Sequence, residues 1–147
     1  EVIRQHLVAI RQLIPQASIE WVPTVSIFNA MDLPAVYKRF MDEGLFKPGE
    51  LRINILKFPR YYNVRMLPTF LKKELEEEIQ KIKARGDLAN NHDNVDFQRF
   101  LRYTKGASWS SKLHQFLKIT SMLDQLRHEN FGETFTKMSE SVKKIIK

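Results

Sequence analysis

The stretch SIEWVPTVSIFNAMDLPAVYKRFMDEGLFKPGELRINIL, residues 18–56, decides how this chain is read. Ile19, Trp21, Val22, Val25 and Ile27 put branched and aromatic residues into a run too short for a helix, which predicts a buried strand over 18–27. Asp32 then offers a helix N-cap, Leu33, Val36, Tyr37, Phe40 and Met41 recur at three- and four-residue spacing, and Gly44 supplies the stop. After the turn at Lys47, Pro48 and Gly49, residues 51–56 read as a second strand, with Arg52 and Asn54 alternating with Leu51, Ile53 and Ile55. Two strands joined through a helix pair in parallel by a right-handed crossover, so the stretch predicts one βαβ unit.

Working outward, Ile3, Leu7, Ile10 and Ile14 mark an amphipathic helix before the unit, ended by Pro15. Downstream, Tyr61, Tyr62, Val64 and Met66 form an extended connector. Pro68 starts a charged helix with its stripe at Leu71, Leu75, Ile79 and Ile82, and Gly86 ends it. The polar run Asp87 to Asp93 leads into a helix carrying Phe97, Phe100, Leu101 and Tyr103. Two further helical patterns follow, Leu113 to Leu126 and Phe131 to Ile145, then a basic end at Lys143, Lys144 and Lys147. The expected division is 1–67 for the helix-strand-helix-strand units and 68–147 for a helical extension. A two-stranded parallel sheet leaves edges and faces uncovered, which points to a missing part or a partner.

With 147 residues, 43% hydrophobic and 11% aromatic, the chain suits one globular domain. No run approaches the roughly 18 apolar residues of a membrane span, and a cytoplasmic, non-membrane protein is expected. The formal charge of +7 suits nucleic acid or phosphate, and equally a solubilising surface. Zero cysteines excludes disulfides and thiolate-ligated metal or cluster sites within the chain. His6, His92, His114 and His128 form no H-x-x-H pattern, so no metal site is expected, and there is no serine nucleophile elbow or glycine-rich phosphate loop, so no catalytic residue is assigned.

Three phrases occur together in order: Ile19 to Asn29 with Leu33 to Tyr37 and Met41 to Gly44; Leu51 to Leu56 with Pro59 to Pro68; and Phe116-Leu-Lys-Ile-Thr120, Leu123-Asp124, Arg127, Asn130-Phe131, Thr134-Phe135. Over nearly the whole chain they resemble the C-terminal part of the twitch-domain-containing radical SAM proteins. The resemblance implies an α/β fold: the C-terminal βα units of a partial (β/α)6 barrel, followed by a helical tail. It implies S-adenosyl-L-methionine (SAM) and a [4Fe–4S] cluster in a complete family member, with neither held by this chain alone, since the cluster motif lies upstream of the matching part. Glu1 in place of Met fits a fragment, and the partner is then the N-terminal half of the barrel.

Parallel α/β proteins meet ligands at the carboxyl ends of their strands, so Ser26, Asn29, Asn54 and Leu56 are the candidate cofactor contacts, Leu56 as an apolar contact to adenine. Asn29 reads equally as a turn or helix cap, Ser26 as a strand residue satisfied by backbone, and Asn54 falls mid-strand. Tyr61, Tyr62, Arg60 and Arg65 combine rings and cations, either to bind a base or to pack the connector. The alternative function is a non-catalytic basic module, binding nucleic acid or pairing with a second copy through the sheet edge.

Overall fold

The computed structural model describes residues 2–88 and 92–146. In order it contains α1 (Val2–Leu13), β1 (Thr24–Val25), α2 (Leu33–Asp42), β2 (Asn54–Ile55), α3 (Thr69–Ala84), α4 (His92–Thr104), α5 (Leu113–Arg127), α6 (Phe131–Thr134) and α7 (Thr136–Ile146). Residues 89–91, the middle of the predicted loop before α4, and Lys147 of the predicted basic end lie outside the described residues.

The βαβ unit forms, with β1 and β2 parallel and Thr24 opposite Asn54. The ladder is far shorter than the two predicted strands, and its interruption has a local cause. The Trp21 amide donates to the Glu50 carbonyl, and the Arg52 and Asn54 amides donate to the Trp21 and Pro23 carbonyls. The next rung needs an N–H from Pro23, which has none. A single bridge, Trp21 to Leu51, is therefore cut off from the two-residue strands.

The barrel expectation is overturned. Among the described residues the structure is mostly helical, 62%, and the sheet has two strands and does not close. On the outer side of β2, α4 takes the place of a third strand. Asp93 accepts from the amides of Gly49 at 2.9 Å and Leu51 at 2.9 Å, Asp96 accepts from Ile53 at 2.6 Å, and Arg99 donates to the Ile53 carbonyl at 2.6 Å. Alternate residues along an edge strand present their backbone groups outward, and here side chains consume them. A further strand is blocked there along Leu51 and Ile53.

The helices fall where the periodicity put them, with two differences. Asp32 precedes α2 but its side chain makes no cap hydrogen bond. The single pattern from Phe131 breaks at Phe135 into α6 and α7. Residues from β1, α2, α3, α4, α5 and α7 share one core that includes Val25, Tyr37, Leu75, Phe97, Phe116 and Val142. Tyr37 is fully buried and donates to Asp93 at 2.8 Å; burial first, then that carboxylate, push its phenol far up, so it stays a neutral donor. By contrast α1 buries no residue, and Ile3 and Leu13 are exposed. Arg11 ties it down, donating to the carbonyls of Leu45 and Ala17 and pairing with Glu50. No helix among the described residues is long and apolar enough to cross a membrane.

Candidate functional site

Where β1 ends, the chain turns sharply around Asn29. Its side-chain oxygen accepts from the Ser26 amide at 2.9 Å and its amide donates to the Thr24 carbonyl at 3.0 Å. The Asn29 carbonyl then receives the amides of Asp32 and Leu33 as α2 starts. This is the turn role open to Asn; the N-cap position of α2 itself is Asp32. Ser26 is buried, and its hydroxyl accepts from the Phe28 amide. Asn54 is exposed and donates to the Thr24 hydroxyl at 3.1 Å, while the Leu56 carbonyl accepts from Asn63 at 2.9 Å. Ser26 and Asn29 are thus brought together, with Asn54 and Leu56 one strand away.

The turn throws Phe28 outward from the strand. Its ring lies 5.0 Å from Tyr62, 5.3 Å from Phe116, 5.7 Å from Phe131 and 5.3 Å from Phe135, centre to centre. These are the separations of tilted and edge-on aromatic pairs. Phe28 thereby joins the end of β1, the connector and the tail helices. The Ile27 amide reinforces the joint by donating to the Tyr62 carbonyl at 2.9 Å.

A cavity of about 480 Å³ opens beside this aromatic cluster, within the range of small-molecule pockets. Phe28 and Asn29 reach it from β1, Tyr62 from the connector, and Phe131 and Phe135 from beyond α5. The polar side comes from α5 and from Glu129, Asn130 and Thr134 beyond it. Thr120, Leu123, Asp124 and Arg127 stand at positions i, i+3, i+4 and i+7, the spacing of one helix face.

These groups grade from deep to exposed. Thr120 is 6% exposed, and its buried hydroxyl has no hydrogen-bond partner. One Asp124 oxygen accepts from the Phe131 amide at 2.8 Å, which fixes the start of α6. Arg127 is exposed and forms no ion pair among the described residues. Burial and the adjacent Tyr61 push the Tyr62 phenol up while Arg127 pulls it down, and the net rise keeps it protonated at neutral pH.

Of the four residues expected at a cofactor, Asn29 alone lines this cavity. Thr120, Asp124 and Arg127 had no site role in the sequence reading, although all three belong to the closing phrase quoted there. Their common helix face was the available signal. Arg60, Arg65 and Tyr61 stay in the connector: the Arg65 guanidinium lies 4.2 Å from the Tyr103 ring centre and 5.5 Å from that of Trp109, and Arg60 also lies over Trp109. No three His, Asp or Glu side chains converge as metal ligands among the described residues.

Fold and site define a mainly helical domain with a preformed, aromatic-floored cavity against a short parallel strand pair. Compared with family models, curated proteins and solved structures, the chain matches none.

Proposed function

We propose that the chain is the C-terminal, ligand-binding part of a radical SAM enzyme, inactive without the cluster-bearing part. The observation that carries this is a convergence. The phrases around residues 19–29, 59–68 and 116–135, which are far apart in sequence, each supply side chains to one cavity: Phe28 and Asn29, then Tyr62, then Thr120, Asp124 and Arg127. Three segments matching by chance would have no reason to meet at a ligand-sized space.

The cluster does not fit this chain, which has no thiolate to bind iron, so no chemical step is assigned to its residues. SAM is assigned in this reading to the strand ends. Asn54 keeps an exposed amide there, and half-buried Leu56 offers apolar surface. The cavity beyond Asn29 is left for the substrate.

The test is the genomic reading frame upstream of Glu1. An in-frame Cys-x-x-x-Cys-x-x-Cys in a longer open reading frame is the expected result. A stop codon shortly upstream, with no such motif before it, overturns the proposal.

A further inference from the structure

The face that α5 presents to the cavity carries a hydroxyl, a carboxylate and a guanidinium in a fixed order. From Thr120 to Arg127 the helix rises about 10 Å at about 1.5 Å per residue. At the deep end, Thr120, 94% buried, lines the cavity, and its enclosed hydroxyl has no hydrogen-bond partner. A buried hydroxyl without a partner carries a desolvation cost that a bound hydrogen-bonding atom would relieve. At the mouth, Asp124 and Arg127 stand one turn apart, with the exposed Glu129 also lining the cavity. A simple anion there meets Asp124, and a simple cation meets Arg127, whereas a zwitterionic head suits both. The rings of Phe28, Tyr62 and Phe131 line the same cavity, surfaces suited to another flat ring.

We infer that this cavity binds an aromatic α-amino acid whose ring carries a hydrogen-bonding group, tyrosine being the simplest case. The ring lies against the cluster of Phe28, Tyr62 and Phe131, its hydroxyl meets Thr120 once that side chain turns toward it, and its ammonium and carboxylate meet Asp124 and Arg127. Calling this amino acid a substrate rests on the radical SAM reading; its binding does not.

Titration calorimetry on the 147-residue chain tests it with L-tyrosine, L-phenylalanine, tyramine and SAM as separate probes. L-Tyrosine binds saturably, and L-phenylalanine and tyramine, each lacking one polar group, bind at least about tenfold more weakly. Thr120→Val lowers tyrosine affinity to that of phenylalanine and leaves phenylalanine unchanged. Arg127→Gln, at an exposed position, weakens both amino acids alike. Thermal melting of each variant establishes that it folds, and Thr120→Val, which removes an unpartnered hydroxyl, melts at or above the parent chain.

Equal affinity for tyrosine and phenylalanine overturns the inference. So does the absence of tyrosine binding up to its solubility limit by a chain that melts cooperatively. SAM binding here in place of tyrosine overturns it too, while leaving the radical SAM proposal standing. An upstream frame without the cysteine motif has the opposite effect, removing that proposal and leaving the binding result intact.

Discussion

Asp93 has no exposed surface, and its two oxygens take three donors: the Tyr37 hydroxyl and the amides of Gly49 and Leu51. Asp93→Asn replaces one acceptor oxygen with a donor facing donors, and a cost of about 3 kcal/mol is expected, read as a lower urea midpoint at unchanged slope. Glu50 contributes to stability toward acid. Burial opposes its charge, but the amides of Ile19 and Lys47 and the Arg11 guanidinium outweigh that and hold the carboxyl below its ordinary value of 4.5. A lowered pKa in the folded chain means its stabilisation is present above pH 4.5 and is lost as pH falls through the folded value. Glu50→Gln therefore flattens the fall of melting temperature on acidification below pH 4.5, and a fall as steep as the parent's removes this assignment. His128 ends α5 in the left-handed region at φ 56°. His128→Gly relieves that conformation, and the chain gains up to about 1 kcal/mol in the same unfolding assay.

Among the elements, α1 is held differently from the rest. It buries no side chain, and Arg11 anchors it through two carbonyls and Glu50. Its amides are expected to exchange with deuterium faster than those of α3, whose Leu71, Leu75, Ile79 and Ile82 are buried. Arg11→Met lowers the remaining protection of α1, which keeps only the exposed Arg4–Glu43 pair, and leaves that of α3 unchanged; a parallel loss in both helices contradicts Arg11 as the main anchor. Helices were legible in the sequence because a 3.6-residue apolar period records which face is covered, and α2, α3, α4 and α5 all follow it. Strand length was not legible. The apolar run at 18–27 is genuine, but hydrogen bonding along it depends on which residues face the partner, and Pro23 happens to face inward. The break at Phe135 was equally hidden, since apolar spacing continues across it.

Across the whole molecule, Phe28 connects the strand pair to the tail. Phe28→Ala removes four ring contacts and is expected to cost about 3 kcal/mol, a value at the lower end for Phe truncation because the ring is only half-buried. Near- and far-ultraviolet circular dichroism should report coincident melting in the parent chain, because the βαβ part and the helical tail share one core. The sequence by itself determined the order of helices, the parallel βαβ unit and the inability to ligate a cluster, since periodicity, crossover length and cysteine count are local or compositional properties. Tertiary structure alone decided that the sheet stops at two strands and that Thr120, Asp124 and Arg127 share a cavity with Phe28. Both outcomes depend on docking across long sequence separations: α4 carboxylates consume the edge of β2, and α5 closes over the end of β1. No residue pattern records which buried groups will find partners there and which, like the Thr120 hydroxyl, will not.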